Sequence, residues 1–297
     1  MIFVDRSKVT EPDILSNQTR RGHLETQEAI RHYSVLNLTT AFNFKVYRHA
    51  EVKKALIDLF KGKCAYCEST FLHVYSGDVE HFRPKGEIEE VAEPKKPGYY
   101  WLASNWDNLL LSCRNCNQKL SHLMFGQAGR VTMGKMNQFP LSDLDKYVRK
   151  HDNPTGIESE EKFRLLLNPC IDNPEKHLEY GDEGVIKAKK NEDGLLCEKG
   201  LKSIDVFVLQ RVHLVQSREK TLIDIEAQIQ RVKEAVENYN FHIADLNDSK
   251  KFYFEKILKR ELDRLYKFLK PEEPYLGMAR QVIGKFLDLN FGIKLKN

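Results

Sequence analysis

Apolar positions recur at helical spacing in four parts of the chain. From about residue 204, Val208, Val212, Val215, Leu222, Ile225, Ile229, Val232 and Val236 follow one another at steps of three or four. One gap falls at Arg218 and Glu219. This pattern predicts one long amphipathic helix or two collinear ones. Two further helices are predicted near Ser249 to Leu269 and Tyr275 to Leu287, separated by Pro271 and Pro274. A fourth, amphipathic run covers His49 to Phe60, with Val52, Leu56, Leu59 and Phe60 on one face and Gly62 at its stop.

The rest of the chain is patterned differently. Residues 1 to 48 are polar and charged and read as an N-terminal arm, with one short helix around Thr26 to Leu36. Residues 63 to 125 are dense in Cys, His, Asn and aromatic residues and broken by prolines. Gly77 to Phe82 predicts a strand there, and Trp106 to Leu120 a loop passing into a helix. Residues 126 to 200 are punctuated by the turn sequences NPTG, DNPE, GDEG and EDG, with Val185 to Ala188 a strand of a small hairpin.

Composition narrows the class. At 297 residues with 41% hydrophobic and 30% charged residues, the chain is globular in type. A net charge of +4 is compatible with nucleic acid but does not require it. No segment approaches the roughly 18 apolar residues of a membrane span, so no membrane is expected and a cytoplasmic location follows. In a reducing cytosol the 6 cysteines are better read as metal ligands or buried residues than as disulfides.

Four of those cysteines are paired. Cys64 and Cys67 form one Cys-x2-Cys, Cys113 and Cys116 a second. Each short turn presents two thiolates, and zinc takes four tetrahedrally, so the spacing predicts a structural Zn²⁺. A saturated four-thiolate site has no open position for substrate. A plain zinc ribbon used for protein contact would show the same quartet. Cys170 and Cys197 lack a close partner and read as buried thiols. His73, His122 and His177 read as loop, packing or surface residues rather than ligands.

The residues between the cysteine pairs set this chain apart from a simple knuckle. In order they are Cys-x2-Cys, Val-Glu-His-Phe-x-Pro-Lys, then Asp-Asn-Leu-Leu-Leu-x-Cys-x2-Cys-Asn-x-Lys, over residues 64 to 119. This order resembles the HNH endonuclease superfamily. The resemblance implies an α+β fold: a ββα-metal HNH core with a four-cysteine zinc site, followed by a mainly α-helical C-terminal domain. It divides the chain into an arm (1–48), the HNH domain (49–140), a loop-rich connection (141–203) and a helical domain (204–297).

By position, the resemblance makes His81 the general base and Asn108 the residue that bonds the hairpin backbone and holds the histidine. Glu80 and Asn117 become the ligands of a catalytic Mg²⁺ or Mn²⁺, both oxygen donors as a hard cation prefers. Asp78 is a further candidate ligand. Arg83, Lys85, Arg114 and Lys119 become phosphate contacts. Each has a plainer reading: Asn117 could be a helix N-cap, and the cations could be solvated charges. The chemistry is coherent on its own terms, because phosphodiester hydrolysis needs a base of near-neutral pKa and a cation against the developing charge.

A wider similarity takes in GYYWLASNWDNLLLSC, FPL at 139–141, LLLNPCIDNPEKHLEY and the helical tail. It resembles the HNH nuclease subunits of the Septu anti-phage defence system, a group also found with certain retrons. That implies cleavage of nucleic acid, read here as DNA with RNA left open, and an ABC/SMC-like ATPase partner. The competing reading is a non-catalytic zinc-binding nucleic-acid or scaffold subunit.

Overall fold

The computed structural model describes residues 1–16, 18–35, 40–153, 155–242 and 248–295. The chain opens with two helices, α1 (Asp13–Ser16) and α2 (Arg21–Tyr33). The predicted short helix thus begins earlier than Thr26 and ends by Tyr33, and Leu36 lies outside the described residues. Glu25, buried on α2, accepts hydrogen bonds from the backbone N–H groups of Lys45 (2.6 Å) and Val46 (3.2 Å) and from Ser104 Oγ (3.1 Å). Arg6 donates to the carbonyls of Trp106 (2.8 Å) and Leu109 (3.1 Å). The N-terminal segment is thereby bound into the centre of the molecule.

Helix α3 (Ala50–Phe60) forms as its apolar stripe predicts, with Val52, Leu56, Leu59 and Phe60 buried. His49 caps it by accepting from the Glu51 N–H at 3.4 Å. The left-handed turn that ends it starts at Lys61 (φ 53) and continues through Gly62 (φ 71). Strand β1 (Asp78–His81) matches the predicted strand.

The stretch from Trp106 to Leu120 differs from expectation. Leu109–Ser112 is strand β2, antiparallel to β1 with Asp78 opposite Ser112 and His81 opposite Leu109. Leu109, Leu110 and Leu111 are all fully buried. A three-residue apolar run covered on both faces carries no period of two, which hides its identity. Only one helical turn follows, α4 (Arg114–Asn117), and then a second hairpin of β3 (Leu120–Leu123) and β4 (Arg130–Met133).

Helix α5 (Gly156–Glu161) leads to the predicted small hairpin, β5 (Leu178–Tyr180) with β6 (Ile186–Ala188). Helix α6 (Glu198–Val206) precedes the long helix. The chain leaves helical geometry at Val208 (φ 53), so the predicted long helix begins at Val212 rather than before it. Helix α7 (Val212–His242) is single and long, α8 (Asp248–Lys267) packs along it, and α9 (Leu276–Phe291) closes the chain. Arg218, which interrupts the apolar stripe, is itself fully buried and donates to the Leu209 carbonyl at 2.7 Å. Among the described residues one contiguous apolar core runs from Met1 to Leu287 and includes all four paired cysteines.

Candidate active site and metal centre

The two cysteine pairs meet. The turn after α3 carries Cys64 and Cys67, Cys113 directly follows β2, and α4 carries Cys116. Their sulfurs all lie within 4.8 Å of one another, and all four residues are buried. Four sulfurs at about 2.3 Å from a tetrahedral zinc would stand about 3.8 Å apart. Cys67 and Cys113 are 3.8 Å apart, so the quartet has the dimensions of a zinc site. A buried cation supports it: Arg211 approaches Cys116 Sγ at 3.5 Å and Cys113 Sγ at 4.0 Å. Burial works to lower the Arg211 pKa, but the sulfurs of Cys116, Cys67 and Cys113 outweigh it and hold it above its ordinary value. Arg211 lies 95 positions from Cys116 in a run otherwise read as helix stripe, so nothing local marks it in the sequence.

The cysteine quartet lies at one end of β2, and the pairing with His81 lies at the other. The hairpin register sets His81 beside Leu109, and Asn108 precedes that residue. Asn108 is buried; its Oδ1 accepts from Arg83 N–H at 2.7 Å, and its Nδ2 donates to the carbonyls of Arg83 (3.0 Å) and Leu102 (3.1 Å). It therefore pins the chain two residues beyond His81 by both of its amide atoms.

His81 is 5% exposed and stands at the wall of a cleft of about 700 Å³. Its Nε2 lies 3.0 Å from the Ala103 carbonyl. A carbonyl only accepts, so Nε2 carries the ring hydrogen and Nδ1 keeps a lone pair. Lys85 Nζ lies 3.4 Å from that Nδ1 and 4.6 Å from the centre of the Tyr47 ring. Tyr47 packs edge-on against the imidazole at 4.5 Å. Burial first, and then the Lys85 ammonium, push the His81 pKa well below the ordinary histidine range.

The acidic residues divide into two groups. Asp78 accepts from Asn117 Nδ2 at 2.9 Å and from Gln118 Nε2 at 3.5 Å, and Tyr75 hydroxyl holds its other oxygen. Asp78 and Asn117 both line the cleft. Asn117 is the last residue of α4, not its first, so the capping alternative finds Cys113 in the N-cap position instead. Glu80 also borders the cleft, but Lys135 Nζ meets its Oε1 at 2.6 Å. Burial raises the Glu80 pKa, with Lys135 working in the opposite sense. Both oxygens of Asp78 accept hydrogen bonds from neutral donors, while one oxygen of Glu80 meets an ammonium; Asp78, Asn117 and Glu80 are the oxygen donors a hard cation would find at this cleft.

The expected phosphate-binding cations are not equivalent. Arg83 is buried, with Nε bonded to Glu160 at 2.9 Å and Nη2 to Glu161 at 2.6 Å. Its charge faces carboxylates rather than the cleft. Arg114 is exposed and bonds Gln118 at 3.0 Å. Lys119 lines the cleft while paired with Glu89. Lys85 lines it directly, and Arg48 and Lys53 add two cations that the motif did not suggest. Among the remaining residues, His122 is buried, and His177 Nδ1 lies 3.1 Å from Cys197 Sγ. Cys170 and Cys197 are only partly covered, where full burial was expected.

No protein-family model matches the chain. Curated relatives do. The chain is 35% identical over 299 aligned residues to the "Septu protein PtuB" of Bacillus mycoides (strain KBAB4), covering 97% of this chain and 91% of that protein. It is 26% identical over 199 residues to the "Septu protein PtuB" of Bacillus thuringiensis, covering 65% of this chain and 54% of that one. It is also 25% identical over 241 residues to the "Septu protein PtuA" of the same B. mycoides strain, covering 77% of this chain but 30% of that protein. With the first match running nearly end to end in both proteins, the chain belongs to the Septu PtuB family.

Proposed function

We propose that the chain is an HNH-type endonuclease that hydrolyses phosphodiester bonds of DNA with a divalent metal ion. In this reading β1, β2 and α4 are the ββα-metal unit within the 49–140 domain, Zn²⁺ on the four cysteines is structural, and Mg²⁺ or Mn²⁺ is catalytic. The carrying observation is the orientation of His81. Its Nε2 is tied to the Ala103 carbonyl, so Nδ1 keeps its lone pair, met by Lys85 Nζ at 3.4 Å, and the residue lines a cleft shared with Asp78 and Asn117.

Each residue then has a defined task. His81 Nδ1 takes a proton from the attacking water, and its depressed pKa keeps the ring neutral at pH 7 at some cost in basicity. Asn108 fixes the backbone after the histidine. Asp78 and Asn117 would hold the divalent ion, with Glu80 as the remaining candidate. When bound, that ion offsets charge on the phosphoryl and leaving oxygens. Lys85, Arg48 and Lys53 line the cleft as cations for the flanking phosphates. Arg114 and Lys119 extend that edge, and Arg83 braces it from inside.

Membership of the PtuB family supports placing this nuclease in an anti-phage defence complex, in the cytoplasm, with an ABC/SMC-like ATPase as the second subunit. The arm (1–48), the connection (141–203) and the helical domain (204–297) then serve as scaffold and partner surface. Among the described residues no helix is long and apolar enough to cross a membrane.

One observation favours the second reading, a non-catalytic zinc-binding nucleic-acid or scaffold subunit: Lys135 holds Glu80, the residue before the histidine. Cleavage of DNA by the chain, alone and with the ATPase, in Mg²⁺ and in EDTA separates the two. The nuclease reading expects Mg²⁺-dependent cutting in at least one of these mixtures. No cutting in any of them would overturn it.

A further inference from the structure

Lys135 follows β4, in a segment that the sequence marks only by turn residues. Its side chain is completely buried, and it does not line the cleft. A buried ammonium is retained only where its partners offset the lost hydration. It has two: Glu80 Oε1 at 2.6 Å and the main-chain carbonyl of His81 at 2.9 Å.

The backbone around Lys135 reaches a second element. Lys135 N–H donates to the Cys116 carbonyl at 3.1 Å, and Met136 N–H to the Asn117 carbonyl at 2.6 Å. Gly134 precedes them at φ 147, and a Cβ there would fall 1.9 Å from the Gln118 carbonyl oxygen. Only glycine allows so close an approach. The three-residue strap Gly134–Met136 therefore grips α4 through its backbone and β1 through one side chain.

We propose that Lys135 is the positioning residue that sets His81 against Asn117, and that Glu80 serves as its anchor rather than as the carboxylate of the catalytic ion. Asp78, already in contact with Asn117, supplies that carboxylate. This rests on the nuclease reading of the cleft. Lys135 touches neither substrate nor ion. It acts by fixing the carbonyl of the residue that carries the base.

The test uses the full-length, zinc-loaded chain with its ATPase, and Mn²⁺ as probe. Mn²⁺ affinity is read by electron paramagnetic resonance, beside thermal midpoints and cleavage kinetics. Asp78→Asn is expected to weaken Mn²⁺ by about tenfold or more. Glu80→Gln should leave Mn²⁺ affinity within about twofold while lowering the thermal midpoint. Lys135→Met should lower the midpoint and kcat with KM unchanged. Replacing both residues by methionine removes both buried charges, so the midpoint should return toward wild type while kcat stays low.

Loss of Mn²⁺ binding in Glu80→Gln at an unchanged midpoint would overturn the assignment. So would full recovery of kcat in the double variant, because Lys135 would then be a charge partner and nothing more. If wild type binds no Mn²⁺, the nuclease reading itself fails. The thermal cycle still decides the Glu80–Lys135 clasp, and strictly additive losses would refute it.

Discussion

A histidine can act as a base only if one ring nitrogen keeps its lone pair and the ring is neutral at working pH. His81 meets both conditions through contacts that the sequence conceals. The Ala103 carbonyl takes Nε2, and the loop bearing it is held by Ser104 on Glu25, 79 positions away in the chain. The histidine, its neighbour and Asn108 were legible because their spacing within one motif carries them. Lys135 and Glu25 were not, because they reach the site from 54 and 79 positions away and no local pattern marks them. The lowered pKa of His81 sets a direction for pH. Folded His81 gives up its proton below the ordinary 6.5, so cleavage should be flat from about pH 6.5 upward on its acid side. The same shift bears on stability. Its contribution is complete above 6.5 and is lost as pH falls from there through the folded value, because the unfolded chain takes up the proton first. Single-turnover rates against pH check this. An acid limb centred above 7 would contradict it.

The strands and helices show how far a zinc quartet organises the elements. β2 begins beside Asn108 and runs into Cys113, and α4 holds both Cys116 and Asn117. The quartet is therefore continuous with the cleft, and a zinc ion bound there would also place Asn117. A β1–β2 pair of four residues each has little independent stability, so the zinc should contribute much of the local folding free energy. Cys64→Ala or prolonged chelation should remove one zinc per chain and unfold the hairpin. Zinc content and thermal midpoint, measured together, check the expectation. An unchanged midpoint in the zinc-free protein would contradict it. The cysteine spacing announced this site in the sequence. Strand β2 was hidden, because Leu109, Leu110 and Leu111 are buried on both faces and show no alternation.

Across the whole molecule, the charges that read as nucleic-acid contacts sort themselves by burial. Arg83, 6% exposed, spends its charge on Glu160, which also accepts from Tyr99 at 2.8 Å and from the Val148 N–H at 2.9 Å. That network joins β1 to α5 and to the middle of the chain. Arg83→Met should therefore act through stability, leaving a buried carboxylate unpaired at a cost of about 3–5 kcal/mol. Urea denaturation reads that cost, and a variant of wild-type stability that binds DNA weakly would reverse the assignment. The long apolar stripe of the C-terminal half predicted its helices well, because their faces pack locally at 3.6-residue spacing. It did not show that the N-terminal segment, the hairpins and the helical half share one core. Such joining depends on contacts between distant residues. The account as a whole rests on the hairpin being a catalytic unit. The most direct measurement is Mg²⁺-dependent cleavage of DNA by His81→Ala beside wild type, with the proposed ATPase partner present and zinc content recorded for both. The account predicts equal zinc and a loss of at least about a hundredfold in cleavage. Cleavage at the wild-type rate by a fully zinc-loaded His81→Ala protein would contradict it.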